Sequence, residues 1–240
     1  MNIAIDIGNT LQKIAVFNSD ECMYCQSFPL VTEAVLLSVF RQFSIKNSIV
    51  SSVAELDAQV VDFLKINTKI IPYTHQTKLP LSILYKSTET LGLDRIANAV
   101  GAATLFPAQN VLSIQAGTCL VFDFVNEYKE YLGGSISPGI QMRYEALHEK
   151  TKNLPYLSAK NIPPDFLETD TNGSLHSGVI NGICYEINGF IEAYKERFGN
   201  VVVLIIGGDF AYLKKLIKNT IFAAPNLVLK GLNEIIKYNV

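Results

Sequence analysis

The chain contains the same strand–turn–strand pattern twice. Residues 3–17 form an apolar segment, a turn at Gly8-Asn9-Thr10 and a second apolar segment. Residues 111–125 repeat this pattern around a turn at Gly117-Thr118, about one domain length further along the chain. Two apolar segments joined by a short turn that contains glycine are typical of a β-hairpin. The repeat therefore predicts two domains that each begin with a hairpin.

Helix and strand patterns alternate after each hairpin, which is typical of an α/β fold. In the first half we predict strands at 23–28, 48–52 and 69–72 and helices at 32–43, 57–65 and 94–103. In the second half we predict strands at 131–136 and 201–206 and helices at 140–152, 175–198 and 210–218. The predicted domains are residues 1–109 and 110–240. No linker rich in Gly, Ser or Pro separates them, so we expect the two domains to share a cleft.

Composition and charge favour a small-molecule partner. Of the 240 residues, 49% are hydrophobic, and the formal net charge is -2. Without a basic run there is no electrostatic signal for nucleic acid or a membrane surface. No apolar run approaches the roughly 18 residues of a membrane helix, and no signal peptide is evident, so we expect a cytoplasmic protein. Four cysteines include the C-x-x-C of Cys22 and Cys25, which lacks the second pair of a zinc site and is interpreted as two thiols on a strand.

Asp6 is the first candidate for chemistry, because it lies within an apolar strand, where an unpaired carboxylate is costly. The turn that follows offers backbone NH groups and a hydroxyl to a phosphate, and Asp6 could then bind Mg²⁺ directly or through water. The alternative is an ordinary hairpin turn. Gly207-Gly208, after the apolar run 201–206, leaves room for the flat face of a ligand or forms a simple strand-to-helix turn.

A second candidate lies at the start of the helix predicted at 94–103. Asp94 is in a position where carboxylates most often cap a helix or face its dipole. Arg95 beside it is unfavourable for the dipole, which indicates that its charge serves another purpose, such as binding a carboxylic acid substrate. Asp94 could then accept the proton of a substrate hydroxyl that attacks a γ-phosphate. The motifs of P-loop, Rossmann and zincin proteins are absent, and the three histidines have no metal-binding spacing.

The ordered set of motifs resembles the type III pantothenate kinase family. The matching segments, in chain order, are Asp6 to Thr10, Gly92 to Arg95 with Asn98, Ala116 to Thr118, Gly133 to Gly139, Thr151 to Pro155, Ser177-Gly178, Gly207 to Asp209 and Asn226 to Leu232. The resemblance implies a duplicated ribonuclease H-like fold of the actin, hexokinase and heat-shock superfamily, with a nucleotide cleft between the domains. It also implies a homodimer that transfers the γ-phosphate of ATP to the 4′-hydroxyl of pantothenate, the first step of coenzyme A synthesis.

The resemblance also implies roles for individual residues. The residues expected to bind ATP are Asp6, Ile7, Gly8, Asn9, Thr10, Leu11, Gln12, Lys13, Thr118, Gly207 and Gly208, with Asp6 near Mg²⁺. Pantothenate is expected to contact Tyr85, Gly92, Leu93, Asp94 and Arg95, with Asp94 as the proton acceptor. Thr171 is expected to reach pantothenate across the dimer interface. Gly178 and Gly182 have a spacing that suits either a dimer contact or a close crossing of helices within one chain.

Gln115 departs from the family pattern, in which an Asp helps to bind K⁺ or NH₄⁺. Glutamine keeps an oxygen ligand but removes a negative charge, so either the cation requirement is relaxed or another oxygen replaces the carboxylate. Two alternative functions follow. The chain could be a catalytically weakened nucleotide-binding regulator, which only Gln115 supports, or a kinase for a different small acceptor.

Overall fold

Both predicted hairpins form. In the computed structural model, which describes residues 1–8, 11–52, 57–159 and 164–240, β1 (Asn2–Ile7) pairs antiparallel with β2 (Gln12–Asn18). In the same way, β7 (Asn110–Ala116) pairs antiparallel with β8 (Cys119–Val125).

The first hairpin opens a five-stranded sheet. The remaining elements of this half are β3 (Glu21–Phe28), α1 (Glu33–Phe40), β4 (Asn47–Ser52), α2 (Ala58–Asn67), β5 (Lys69–Ile71), β6 (Ser82–Ile83), a 3-10 turn (Thr88–Thr90) and α3 (Leu93–Leu105). The strand order is β3-β2-β1-β4-β5, with β4 parallel to β1 and β5 parallel to β4. Thr32 and Asp57 cap α1 and α2 by accepting hydrogen bonds from backbone NH groups, as short polar side chains at helix starts commonly do.

The second hairpin opens a sheet with the same arrangement. The remaining elements are β9 (Glu130–Pro138), α4 (Ile140–Glu149), α5 (Thr171–Phe198), β10 (Val201–Ile206), α6 (Phe210–Leu213), β11 (Phe222–Ala223) and α7 (Leu227–Asn239). The strand order is β11-β10-β7-β8-β9-β6, so β9-β8-β7-β10-β11 repeats the order of the first sheet. The predicted duplicated α/β architecture is confirmed.

The helices predicted over 32–43 and 140–152 each end three residues early, at Phe40 and Glu149, and a third predicted helix is shortened most. We predicted helix over 210–218, but α6 ends at Leu213. The hydrogen bonds of the Lys215 and Leu216 amides go to the carbonyls of Tyr212 and Leu213, three residues back. This tighter spacing is typical of a helix that closes into a turn. The prediction beyond Leu213 is therefore wrong.

The contacts divide the chain into two units. The first comprises Met1–Ala108, Glu127–Leu132 and Asn226–Val240, and the second comprises Gln109–Asn126 and Gly133–Pro225. The predicted boundary between residues 109 and 110 stays a prediction, but α7 and the start of β9 pack in the first unit although they follow that boundary in sequence. The pairing of β6 with β9 also lies within the first unit.

In the first unit, each face of the sheet is covered by a pair of helices. Side chains of α1 and α2, such as Leu36 and Leu64, pack with Ile5 on one face. On the other face, α3 and α7 pack over Ala4 and Ala15. The two helices approach closely, since a Cβ atom on Gly231 would lie 1.8 Å from the Ala97 carbonyl oxygen. Only glycine fits at this crossing.

In the second unit, α4 and α5 cover one face of the sheet. The buried residues of this core include Leu112, Phe122, Tyr144, Ile187 and Ile205. The predicted strand over 201–206 is confirmed as β10, which is buried along most of its length. No helix formed by the described residues combines the length and apolar character that a membrane crossing requires.

Candidate active site

Asp6 lies near the end of β1 beside two other ionisable groups. Burial and, second, the negative charge of Asp94 together raise the pKa of Asp6 to about 6, although the Lys13 ammonium opposes the shift. Lys13 is the direct neighbour of Asp6 on β2. The two carboxylates are therefore close enough to repel each other, and Lys13 offsets only part of the cost.

A buried hydroxyl lies next to Asp6 on β4. Ser51 is the direct neighbour of Asp6 in the parallel pair of β1 and β4, and it is 1% exposed. Its hydroxyl has no hydrogen-bond partner among the described residues. A buried polar group in this condition is costly unless water or a ligand satisfies it. The surroundings of Asp6 thus have unused capacity to bind a polar group.

Two side chains from the segment after β5 form hydrogen bonds to the backbone just before Asp94. The Tyr73 hydroxyl donates a 2.6 Å hydrogen bond to the Leu93 carbonyl, and Nε2 of His75 lies 2.8 Å from the Leu91 carbonyl. A carbonyl only accepts, so Nε2 of His75 carries the proton. Burial, followed by the charges of Asp94 and Asp6, raises the pKa of Tyr73, so its hydroxyl stays protonated next to both carboxylates.

Gly92 makes room for the Asp94 carboxylate. A Cβ atom on Gly92 would lie 2.6 Å from Oδ1 of Asp94, so a side chain there would displace the carboxylate. Gly92 is the N-cap of α3 and makes no side-chain cap. Asp94 lies in the first turn, so a favourable interaction with the helix dipole accompanies any chemical role.

Arg95 is a buried cation beside an aromatic ring. It is 8% exposed, and its guanidinium carbon lies 5.9 Å from the centre of the Tyr85 ring. Tyr85 in turn packs against Tyr131 of β9, with ring centres 6.1 Å apart. Tyr85 and the segment Gly92 to Arg95, which were predicted to bind substrate, thus come together in the first unit with Asp6.

The predicted nucleotide turn of the first hairpin is only partly described. Asn9 and Thr10 lie outside the described residues. A Cβ atom on Gly8 would lie 3.0 Å from the Leu11 carbonyl oxygen, so the backbone is closely packed there. The side-chain oxygen of Gln12 accepts a 2.6 Å hydrogen bond from the Val31 amide, which gives Gln12 a structural role.

In the second unit, three segments meet at the turn of the second hairpin. The Gly139 amide donates a 3.1 Å hydrogen bond to the Thr118 carbonyl, and Gly139 is the N-cap of α4. A Cβ atom on Gly139 would lie 2.1 Å from the Gly117 carbonyl oxygen. Thr118 is exposed next to this helix start. A helix N-terminus beside an exposed hydroxyl is suited to a phosphate.

Gly207 provides the third segment. Its φ of 103° is in the region that favours glycine, and a Cβ atom there would lie 2.0 Å from the Ala116 carbonyl oxygen. Gly208 has nothing within 4 Å of its Cβ position, and both glycines are exposed. The Asp209 amide donates a 3.2 Å hydrogen bond to the same carbonyl of Ala116. Thr118, Gly207 and Gly208 were predicted from separate motifs. The structure brings them together where β7 and β10 end.

Gln115 and Thr171 also belong to the second unit. Gln115 occupies the position in β7 that Asp6 occupies in β1, one residue before the strand ends. Its direct neighbours on the adjacent strands are Val121 and Ile206, both apolar. Thr171 is exposed and begins α5, whose N-cap Asp170 accepts a 3.0 Å hydrogen bond from the Gly173 amide.

The sequence analysis did not select Tyr73, His75 or Ser51. Tyr73 and His75 act through single hydrogen bonds to backbone atoms 20 and 16 residues away, and no local pattern reveals such contacts. Ser51 is an ordinary polar residue in a strand until the pairing of β4 with β1 is known. Gly139 is the last residue of the segment Gly133 to Gly139 that matches the family, and its Ser-Pro-Gly ending predicts a turn there.

Comparison with known proteins identifies the family. A family model described as type III pantothenate kinase matches residues 2–193. A type III pantothenate kinase from Bacteroides fragilis is 41% identical over 244 residues, which cover 100% of this chain and 98% of the relative. This chain belongs to the type III pantothenate kinase family. Family members are ATP-dependent kinases that catalyse the first step of coenzyme A biosynthesis.

Solved structures agree on the fold. A structure described as a conserved Baf family transcriptional activator from Campylobacter jejuni has a TM-score of 0.59 and 20% identity, and the match covers 99% of this chain and 98% of that one. A glucokinase from an Antarctic psychrotroph has a TM-score of 0.52 and 12% identity, with 100% and 99% covered. The predicted ribonuclease H-like kinase fold is confirmed.

The residues around Asp6 fit the divalent metal that the kinase family implies. Mg²⁺ is usually bound by one or two carboxylates together with substrate phosphates and water. Asp6 supplies one such carboxylate, and the Ser51 hydroxyl is available to a metal-bound water. Among the described residues there is no cluster of three or more His, Cys, Asp or Glu that could bind a metal without a substrate.

Gly207 and Gly208 provide a matched test of the second-unit turn. We expect Gly207→Ala to lower the free energy of unfolding by about 2 kcal/mol or more, because the new methyl group collides with the Ala116 carbonyl at a positive φ. Gly208→Ala should change stability by less than about 0.5 kcal/mol and should raise the KM for ATP if the nucleotide lies against it. Urea unfolding and initial rates measure the two effects. Equal loss of stability in both variants would contradict this account.

Asp6 should destabilise the fold at neutral pH. Its folded-state pKa, about 6, is above the ordinary 3.8, so ionisation becomes increasingly costly as pH rises from about 4 to 6. Without ligands, Asp6→Asn should therefore raise the free energy of unfolding by about 3 kcal/mol at pH 8, and the gain should shrink toward pH 4. Urea unfolding at several pH values measures this.

The control for this experiment is Asp62→Asn on α2, where the carboxylate is 68% exposed and pairs with Lys65. This variant should show no comparable gain at pH 8. A gain for Asp6→Asn that is equal at all pH values would show that burial of the charge is not its cause.

Proposed function

We propose that this chain transfers the γ-phosphate of ATP to the 4′-hydroxyl of pantothenate, with Asp94 as the proton acceptor. Family membership supports the reaction, and the observation that carries the residue assignment is the meeting of Asp6, Asp94 and Arg95 in the first unit. Two features fix the position of the Asp94 carboxylate. Gly92 leaves the space that the carboxylate occupies, and the Tyr73 hydroxyl donates a hydrogen bond to the carbonyl of Leu93, the residue before Asp94. A base in a fixed position is what proton transfer requires.

In this proposal, Arg95 binds the carboxylate of pantothenate. Its guanidinium is buried beside Tyr85, and a charge-assisted hydrogen bond is stronger in such a partly dry setting. Binding the acid end at Arg95 leaves the hydroxyl end of the substrate for the neighbouring Asp94. The carboxylate then takes the hydroxyl proton as the oxygen attacks the phosphorus of the γ-phosphate.

The proposed ATP contacts are the two hairpin turns and Gly207-Gly208. In the second unit, the Thr118 hydroxyl and the start of α4 at Gly139 would bind phosphate oxygens. In the first unit, Asp6 would hold Mg²⁺ directly or through water, with the Ser51 hydroxyl as a further contact for that water. Mg²⁺ neutralises charge that develops on the phosphates during transfer. Since ATP is the donor, we expect the reaction to take place in the cytoplasm.

We also propose that the protein is a homodimer in which α5 faces its copy. Along one side of α5, Gly178, Gly182 and Gly189 have nothing within 4 Å of their Cβ positions, so no close crossing within the chain explains them. Tyr185 on the same side is 65% exposed. Thr171, at the start of this helix, would then reach the partner's pantothenate. A molar mass in solution near 26.5 kDa, that of one chain, would contradict the proposal.

The monovalent cation requirement of this chain is proposed to be relaxed. Gln115 replaces a carboxylate with a neutral amide, and its direct neighbours Val121 and Ile206 supply no compensating charge. A neutral oxygen binds K⁺ more weakly than a carboxylate does. The alternative, a nucleotide-binding regulator with little activity, has Gln115 as its only support.

We expect Asp94→Asn to lower kcat about a hundredfold or more, which is the usual contribution of a general base. Nucleotide binding should be largely retained, because Asn keeps the shape of the side chain over Gly92. Release of ADP in the presence of Mg²⁺ and pantothenate measures turnover, and calorimetry measures ATP affinity. Asp62→Asn serves again as an exposed control, and near-normal turnover of Asp94→Asn would remove Asp94 from the mechanism.

The cation proposal predicts similar rates in K⁺ and Na⁺ for the natural sequence. Gln115→Asp should create a clear preference for K⁺, because the added carboxylate then needs a cation. The same ADP assay at constant ionic strength, with choline chloride as the reference salt, measures both. Strong K⁺ dependence of the natural sequence would contradict the proposal, and no ADP release in any salt would favour the regulator. A panel of small hydroxy acids in this assay tests for a different acceptor.

A further inference from the structure

Two of the four cysteines lie close together on an exposed strand. Cys22 and Cys25 are both exposed on β3, which is the edge strand of the first sheet. Cys119 is half-buried and Cys184 is buried, and both belong to the second unit. The C-x-x-C spacing was interpreted from sequence as two thiols on a strand, without further consequence.

An irregularity in β3 brings the two thiols to the same face of the sheet. In a regular strand, residues three apart point to opposite faces. Here the pairing with β2 runs Ala15 with Cys25 and Val16 with Tyr24, and then Phe17 with Cys22, so that Met23 is an extra residue. Such a bulge changes the alternation of side chains. Because directly paired residues share a face, Cys22 and Cys25 both lie on the face of Ala15 and Phe17.

The two thiols are also electrostatically coupled. Burial raises the pKa of Cys25, the Cys22 thiol beside it raises it further, and the Lys13 ammonium opposes this. The Cys22 thiol donates a 3.3 Å hydrogen bond to the Tyr24 carbonyl, so its sulfur is directed along the strand toward Cys25. The raised pKa of Cys25 makes its thiolate scarce at neutral pH, so the features that favour exchange are the solvent exposure of both thiols and their closeness.

We propose that Cys22 and Cys25 form a redox-active pair that a low-molecular-weight disulfide, such as glutathione disulfide, oxidises to an intrachain disulfide. The thiolate of one cysteine attacks the small disulfide, forms a mixed disulfide and releases one small thiol. The second cysteine, as its thiolate, attacks the protein sulfur and releases the second small thiol. The protein loses two electrons and two protons, and the small disulfide is reduced to two thiols.

The setting favours a reversible bond. Both cysteines are exposed, and exposed disulfides are readily reduced. β3 is an edge strand with mostly exposed side chains, so it can adjust without disturbing the core. Lys13, which neighbours both Cys25 and Asp6, places the pair beside the hairpin proposed to bind ATP.

Intact-mass measurement of the full-length protein tests the proposal. Incubation with glutathione disulfide should lower the mass by about two units, the two hydrogens lost, and dithiothreitol should restore it. Peptide mapping should assign the bond to Cys22 and Cys25. Cys22→Ser or Cys25→Ser should instead retain one glutathionyl group, because the second thiol is missing. The control Cys119→Ser should behave as the natural sequence does.

A second variant tests the shared face itself. Exchange of residues 24 and 25 (Tyr24→Cys with Cys25→Tyr) keeps two thiols but moves one to the opposite face, opposite Val16, so it should accumulate glutathionyl adducts and form no intrachain bond. Urea unfolding shows whether each variant is folded. Stable glutathionyl adducts, a disulfide between two copies or no reaction in the natural sequence would each overturn the proposal.

Discussion

The position of the candidate active site depends on the close crossing of α3 and α7. A Cβ atom on Gly101 would lie 2.5 Å from the Leu227 carbonyl oxygen, and one on Gly231 would meet the Ala97 carbonyl. Side chains at either glycine would separate the helices. Asp94 lies three residues before Ala97 and seven before Gly101, so all three are on one side of α3. Since α7 also packs on β1, the crossing sets the distance between Asp94 and Asp6.

The closeness of Asp6 and Asp94 lowers the stability of the folded protein, and the surrounding residues do not fully compensate for it. Two carboxylates in a partly buried place repel each other, and the raised pKa of Asp6 is the measure of that repulsion together with desolvation. Lys13 supplies one compensating charge, and the Ser51 hydroxyl is unsatisfied within the described residues. A site that binds a cation and a phosphorylated ligand relieves these costs on binding. The apo protein is thus less stable than it could be, as is common at functional sites.

The sequence predicted the parts of the fold that depend on local patterns. Both hairpins, the order of the longer helices and strands up to α6, and the buried strand β10 follow from periodicity and turn residues. The helix α7 and the short strands β6 and β11 were not predicted. The end of α6 was predicted too late, at residue 218 instead of Leu213, because the sequence that follows Leu213 still has a pattern typical of a helix. The hydrogen bonds that end the helix are visible only in the structure. The packing of α7 in the first unit depends on contacts with residues more than a hundred positions earlier, such as Ala97, which no local pattern encodes.

The candidate site shows the same division. Asp6, Asp94 and Arg95 could be selected because charged residues in apolar or dipole-unfavourable positions need an explanation. Tyr73 and His75 could not be selected, since a hydrogen bond from a side chain to a distant carbonyl leaves no trace in spacing. Gly207 could be selected as a turn glycine. The reason that no side chain fits there is the nearby Ala116 carbonyl, and this contact is known only once β7 and β10 are paired.

The two hairpins have the same geometry but carry different charges at equivalent positions, Asp6 in the first and Gln115 in the second. In the first copy, Asp6 has Lys13 and Ser51 as direct neighbours, so the strands on either side of the carboxylate carry a cation and a hydroxyl. In the second copy, Gln115 has Val121 and Ile206 in the equivalent places. A carboxylate at position 115 would depend on an external cation for its charge balance, whereas an amide does not. The two copies therefore differ in charge both at this position and at its direct neighbours on the adjacent strands.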